Sequence, residues 1–218
     1  MKKQIVEALR SVNAGPLAMA DPERAAERAL FFIRELMRWN RQINLTAEMD
    51  EKSIFERHFI DSLQFARAMT EPGETIDIGS GAGFPGIPLK IVFPEMKITL
   101  LESRRKRASF LGSVLRNLGL KHIDVLQYRA EQLARSSAYQ GHFQYALLRA
   151  VAKLDSSLAL GAPLIHDGGK LIIKKGVREK TEADAVCQNL ALARVGEIPL
   201  TNRPGAQSRL VIFQKCST

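Results

Sequence analysis

The feature that most constrains this chain is a glycine-dense turn that begins at an acidic strand end. Residues Asp77-Ile78-Gly79-Ser80-Gly81-Ala82-Gly83-Phe84-Pro85-Gly86-Ile87-Pro88 place four glycines where the apolar strand Thr75 to Ile78 runs into a helix. Glycines at such a junction let the backbone take positive φ and let a ligand approach the main chain, which a Cβ would obstruct. The block therefore predicts a cofactor pocket at the carboxyl end of a strand.

The pattern around it predicts the fold class. Before Pro72-Gly73 the chain reads as helices: a short one near Gln4 to Val12, a break at Asn13-Ala14-Gly15-Pro16, then a long one. Asp21 and Pro22 make a good N-cap and first helical residue, and Ala26, Leu30, Ile33 and Met37 form an apolar stripe that should end near Asn44. A third helix is expected over Glu51 to Ala68. Beyond Gly73 short apolar runs alternate with helical ones: Thr75 to Ile78, Ile87 to Val92, Lys97 to Leu101, Arg104 to Leu118, Ile123 to Leu126, Phe143 to Leu147, Ser156 to Leu160, Lys170 to Lys174 and Thr181 to Ala193. Such alternation builds a parallel sheet covered on both faces. Ile198 to Leu200 and Leu210 to Phe213, separated by Thr201 to Gly205, read as a closing pair of strands. The expected organisation is α/β: a helical extension over 1–72 packed on a core domain over 73–218.

Composition narrows the function classes. The 218 residues carry 32 Lys and Arg against 23 Asp and Glu, a formal charge of +9 whose field favours a polyanion such as nucleic acid. No stretch approaches the roughly 20 apolar residues of a membrane span, and the N-terminus lacks the pattern of a secretory signal, so a cytoplasmic protein is expected. Cys187 and Cys216 stand far apart and the four histidines show no metal-ligand spacing, so neither a disulfide nor a metal site is expected.

The glycine spacing also satisfies the dinucleotide fingerprint, with Glu102 about twenty residues on as a ribose carboxylate. A nicotinamide cofactor, and with it an oxidoreductase, is one reading. Asp77 just ahead of the glycines would repel a pyrophosphate, and Pro85 removes an N–H from the helix start that should cradle one. S-adenosylmethionine, which has an ammonium group and no phosphate, is the other reading. Its amino group can be met by oxygens around Asp77 and Gly79, and its ribose by Glu102.

Three ordered blocks carry a resemblance: Trp39-Asn40-Arg41-Gln42-Ile43-Asn44-Leu45-Thr46, Arg57-His58-Phe59-Ile60-Asp61-Ser62-Leu63, and the glycine block through Phe84-Pro85-Gly86-Ile87-Pro88-Leu89. From about Trp39 to Gly176 the chain resembles the small-subunit ribosomal RNA guanine-N7 methyltransferase family, also called glucose-inhibited division protein B. The resemblance implies a class I S-adenosylmethionine-dependent methyltransferase with a Rossmann-like, seven-stranded, mostly parallel sheet. It implies that Gly79, Gly81 and Phe84 line the methionine side beside Asp77, that Glu102 holds the ribose, that Ala130 and Glu131 meet the adenine, and that Arg149 borders the pocket. It further implies, as substrate, one guanine in a loop of bacterial 16S ribosomal RNA in the small subunit. The chain is expected to act as a monomer.

Guanine N7 presents an sp2 lone pair and no proton, so it needs positioning rather than a general base. Asn44, His58 and Asp61, from the first two blocks, are the candidates for that positioning, and His58 and Asp61 are spaced to share a helix face. Neither cysteine has the Pro-Cys context of a pyrimidine C5 methyltransferase. For RNA contacts the run Arg104-Arg105-Lys106-Arg107 opposes the dipole of its own helix, and Arg104, Arg105, Arg107, Lys175 and Arg209 are the candidates. The family commonly has an arginine two residues before its Leu-Val pair, where this chain has Ser208, followed by Arg209. A non-catalytic RNA-binding assembly factor on the same fold is the further alternative.

Overall fold

A computed structural model of the chain describes residues 1–12, 16–149, 153–176, 184–200 and 208–217. One seven-stranded sheet organises it: β1 (Glu74–Ile78), β2 (Lys97–Leu101), β3 (Ile123–Leu126), β4 (Phe143–Arg149), β5 (Ile165–Gly176), β6 (Leu192–Leu200) and β7 (Ser208–Lys215), in the spatial order 3-2-1-4-5-7-6. The first five strands are parallel, and β7 runs antiparallel to both of its neighbours. Strand order reverses between β1 and β4, where an open α/β sheet leaves a crevice at the carboxyl ends of its strands.

Alternating side chains divide the apolar residues into two cores. Tyr145, Leu147, Ile172 and Ile212 face one core, and Ala146, Leu148, Ile173 and Val211 face the other. The first core is covered by α1 (Lys2–Arg10), α2 (Pro22–Ile43), the segment from α3 (Glu51–Ile54) to α4 (Ile60–Leu63), α5 (Gly86–Val92) and α6 (Arg105–Leu118). The second lies under α7 (Ala130–Ala134), α8 (Leu154–Gly161) and α9 (Asp184–Asn189). The residues before β1 thus share one continuous core with the sheet.

Helix α2 starts as its sequence dictates, with Asp21 Oδ1 accepting the Arg24 N–H at 3.0 Å and Pro22 in the first turn. It ends at Asn44, whose left-handed backbone (φ 43°) closes it. Its buried face is rotated from the expected stripe: Ala25, Ala29, Phe32 and Leu36 join Ala26 and Ile33, while Leu30 and Met37 are only partly buried. Burying each large side chain of that face contributes about 1.5–3 kcal/mol. Phe32 meets Phe84 edge-on at 5.3 Å and Trp39 meets Phe110 at 5.7 Å, fixing α2 against the glycine block and α6.

Two expected elements differ. The helix foreseen over Glu51 to Ala68 is interrupted by a π turn at Phe55–Phe59 and tightens to a 3₁₀ turn at Gln64–Ala68. The π turn accommodates both Phe55 and Phe59 in the core, their rings stacked at 5.7 Å, and aims His58 at the glycine block. The helix foreseen to Ala193 ends at Asn189, because Leu192 is already buried in β6 and paired with Lys215. Strand β6 is the outer edge of the sheet, bulged between Arg194 and Gly196 and carrying Pro199. The expected break at Asn13 to Gly15, the start of the last helix at Thr181 and the Thr201 to Gly205 connection lie outside the described residues.

Candidate active site

The glycine turn follows β1 at the sheet's crevice, and its shape is set by hydrogen bonds within the protein. Gly79 and Ser80 donate to the Leu101 carbonyl, and Gly83 and Phe84 donate to the Ser80 carbonyl. Gly81 donates to Glu102 Oε2 at 3.0 Å. These N–H groups are spent on the protein, so the turn has no nest of free donors with which to cradle a pyrophosphate. Gly79 needs glycine for its backbone, at φ 73°. Gly86 needs it for space: a Cβ there would lie 2.3 Å from Leu100 Cδ2 and 2.9 Å from Asp77 Oδ2.

Asp77 supports the turn from within. Its carboxyl is 1% exposed, Oδ2 accepts the Gly86 N–H at 3.0 Å, and Oδ1 has no hydrogen-bond partner. Burial, opposed by the Gly86 and Ser80 hydrogen bonds, pushes its pKa up to about 7. The expectation of a fixed negative charge before the glycines is therefore corrected: near neutral pH this group is poised between its two forms. What disfavours a pyrophosphate is the internal use of the turn's N–H groups.

A cleft of about 180 Å³ opens beside the turn, lined by Gly79, Glu102, Ser103, Ala130 and Glu131 among others. It adjoins a hollow of about 460 Å³ lined by Arg104, Gln127 and Gln132, and the two share Ser103, Tyr128 and Arg129. Four of the expected cofactor residues thus meet in one place. Glu102 is 5% exposed and its oxygens accept the N–H groups of Gly81 and, at 2.7 Å, Arg104, which orients the carboxylate while leaving lone pairs for sugar hydroxyls. The donor set suits a nucleoside bearing an amino acid better than one bearing phosphates.

The remaining candidates form a second cluster where β4 and β5 end against the helical extension. Arg149 lies 5.5 Å over the Phe84 ring, its Nη2 donates to His58 Nδ1 at 2.5 Å, and it approaches Asp61 at 3.5 Å. It also donates to the backbone carbonyls of Arg57 and His58. Asp61 Oδ2 accepts from Lys174 Nζ at 2.5 Å. On the other side of the imidazole, Nε2 meets Glu48 Oε2 at 2.7 Å and Thr46 Oγ1 at 3.2 Å. A guanidinium can only donate, so Nδ1 carries no proton and Nε2 carries it toward Glu48. Burial first, then the Arg149 charge, lowers the His58 pKa, which keeps the ring neutral. Burial would raise Glu48, yet hydrogen bonds from Thr46 and His58 outweigh it and hold that carboxyl at about 2.

Sequence reasoning missed Asn40, Thr46, Glu48, Ser62 and the Asp61 partner Lys174. Asn40 interrupts the apolar face of α2, and its Oδ1 accepts the Leu45 and Thr46 N–H groups at 2.5 and 3.0 Å, tying down the loop that presents Glu48. A polar residue in an apolar stripe was the available signal. Asn44 stands apart from the His58 cluster: it is exposed, and its carbonyl receives Arg107 Nη2 at 3.5 Å.

Of the expected RNA contacts, Arg104 and Arg105 are exposed and Arg107 is half-buried. Lys175 does not fit the expected rim, being 6% exposed in β5: strand alternation puts it on the face opposite to Lys174. Arg209 pairs with Glu197 of the neighbouring strand at 3.0 Å.

Topology and site together define a class I methyltransferase. Solved structures agree on the fold: a predicted O-methyltransferase from Agrobacterium tumefaciens superposes with a TM-score of 0.57 at 22% identity, over 69% of this chain and 77% of that one. M. jannaschii TYW2, in complex with AdoMet, gives 0.57 at 12% identity over 71% and 74%. The family model for rRNA small subunit methyltransferase G (GidB) matches residues 25–207, and the chain belongs to that family. It is similar to the ribosomal RNA small subunit methyltransferase G of Roseiflexus castenholzii, 39% identical over 80% of this chain and 74% of that protein. Similarity to the protein of the same name from Chloroflexus aggregans is 39% over 84% and 79%. The chain is thus an S-adenosylmethionine-dependent methyltransferase, and the nicotinamide and non-catalytic readings fall away.

Proposed function

We propose that this enzyme methylates N7 of a single guanine in a loop of 16S ribosomal RNA. The observation that carries the choice of acceptor is that the acid–base groups beside the cleft are already committed. His58 has one ring nitrogen facing Glu48 and the other facing Arg149, and Asp61 is paired with Lys174 and Arg149. With His58 and Asp61 engaged in this way, the arrangement favours positioning a nucleophile that carries its own lone pair over removing a proton, which suits a purine N7. Bound S-adenosylmethionine supplies an electrophilic methyl group on a sulfonium.

The residues of the chain do the remaining work. Glu102, with Ala130 and Glu131 beside it, holds the nucleoside. Gly79 faces the amino-acid end, Asp77 holds the turn from behind through the Gly86 N–H, and Phe84 with Arg149 walls the methyl side and excludes water. Asn44, His58 and Asp61 act through structure: His58 and Asp61 fix Arg149, and the Asn44 carbonyl steadies Arg107. N7 lies on the major-groove edge, which A-form RNA hides from side chains, so the target is an unpaired or splayed nucleotide. Arg104, Arg105 and Arg107, on the rim next to Glu102, suit its flanking phosphates; Arg209, paired with Glu197, and the buried Lys175 contribute less. In this reading residues 1–72 and 73–218 work as one unit, a monomer acting in the cytoplasm on the whole or partly assembled small subunit.

The test is incubation with labelled cofactor and small subunits lacking the modification, followed by mass spectrometry of the product base. The expected label is on N7 of one guanine. Label on another atom, or on many guanines, overturns the proposal.

A further inference from the structure

A basic hollow lies away from the cofactor cleft. Residues 94–95 precede β2 and residues 119–122 precede β3, so the hollow they line sits at the amino ends of these strands, whereas the glycine turn and Glu102 sit at the carboxyl ends. Five-residue β2 alone separates the two by roughly 17 Å at about 3.3 Å per residue. The hollow holds about 460 Å³, and its charged lining is Asp21, Arg24, Arg28, Lys90, Glu95 and Lys121, with His122 beside them.

The carboxylates around it are already occupied. Asp21 caps α2 by accepting the Arg24 N–H. Glu23 and Glu27, also on α2, are both held by Lys2, at 3.4 and 2.8 Å. Glu95 lies near the Lys90 ammonium, and that ammonium is itself buried, donating to the carbonyls of Pro94 and Met96 and so fixing one wall. Arg24 and Arg28 remain. They stand four residues apart on one helix face, close enough that the charge of Arg24 acts on Arg28, and neither has an ion-pair partner among the described residues. Arg24 also lies in the first turn of α2, where the helix dipole disfavours a cation. Lys121 brings a third positive charge to the same space. Two like charges side by side, one set against the dipole and the other partly withdrawn from water, with neither paired to the carboxylates of the lining, are stabilised by an external anion.

We infer that this hollow is a second anion site, binding phosphodiester groups of the RNA substrate at a point remote from the base being methylated. The inference rests on the ribosomal RNA reading above. Phosphate contacts of this kind fix register on a large RNA without reading sequence, and they let the enzyme grip its substrate along the sheet from one end to the other.

The experiment compares wild type with the double variant Arg24→Gln/Arg28→Gln and with a control of equal charge loss elsewhere, Arg10→Gln/Arg135→Gln. The expected result is a roughly tenfold rise in KM for the small subunit and a slope of log affinity against log salt shallower by roughly 2, with kcat and cofactor affinity unchanged and the control near wild type. Thermal stability should hold or rise, since a repulsion is removed. Wild-type KM and salt slope, or equal losses in the control, overturn the site. A short labelled oligoribonucleotide read by fluorescence anisotropy separates this inference from the one it rests on. If wild type methylates no small subunit yet the double variant alone loses oligonucleotide affinity, the acceptor assignment fails and the site stands. Titration with inorganic phosphate covers the other source of the same chemistry: saturation at micromolar concentration without competition from RNA would make the hollow a small-molecule site and overturn the inference.

Discussion

Asp77→Asn tests the physical account of the glycine turn directly. The wild-type carboxyl has a folded pKa of about 7 against an unfolded value of about 3.9. The folded state therefore keeps a proton that the unfolded chain gives up as pH rises through this window, and stability falls across it. At about 1.36 kcal/mol per unit, the full interval corresponds to about 4 kcal/mol as a ceiling. Asparagine keeps an oxygen for the Gly86 N–H and carries no charge, so the variant should be the more stable protein at pH 8, with an advantage that shrinks toward pH 4. Two neighbours also titrate. His58, with its folded pKa depressed, costs stability as pH falls through its unfolded value near 6.5, opposite in sign to Asp77. Glu48, held at about 2, contributes stability that is lost only below about pH 4.5. Both are present in the two proteins and cancel in the difference. Urea unfolding of wild type and variant at half-unit steps from pH 4.5 to 8.5 gives that difference. Parallel curves, with a gap that does not change with pH, would refute the buried titration.

Two further substitutions address the same site. Glu102→Ala should weaken S-adenosylhomocysteine binding by roughly 10- to 100-fold in calorimetric titration, from hydrogen bonds to a charged group worth about 1.5–3 kcal/mol, with circular dichroism unchanged; equal affinity would remove Glu102 from the site. Gly86→Ala forces a methyl against Leu100 and the Asp77 carboxylate and should cost about 1–3 kcal/mol in chemical denaturation. A variant as stable as wild type would show that the close approach is not required.

Backbone requirements were the legible part of this chain. Glycines where no Cβ fits, Asp21 with Pro22 at a helix start, and the alternation of short apolar runs each constrain local structure whatever lies nearby, so the turn, α2 and the parallel sheet could all be read before the fold was known. Partnerships across the fold could not. Nothing local in Lys174 announces Asp61, which is 113 residues away, and nothing in Glu48 announces an imidazole that a π turn will aim at it. Lys174 and Lys175 look alike in sequence, and only the parity of β5 sends one to Asp61 and buries the other. Arg149 was expected to border the cofactor pocket; it lies over the Phe84 ring of the glycine block rather than in the lining of the cleft, and its hydrogen bonds run to the extension, a role that motif matching does not report.

The outer strand of the sheet has a bearing on how this protein survives at high concentration. A strand with one unpaired side is a template on which another chain could crystallise into fibres. Here the kink at Arg194 and Gly196 twists the ladder, the proline at 199 withholds a donor, and the side chains of Arg194 and Glu197 add charge to the rim. The opposite border is β3, four residues long and too short to recruit a neighbour. Both borders of the sheet therefore discourage accretion, leaving a basic enzyme free to meet its polyanion rather than itself.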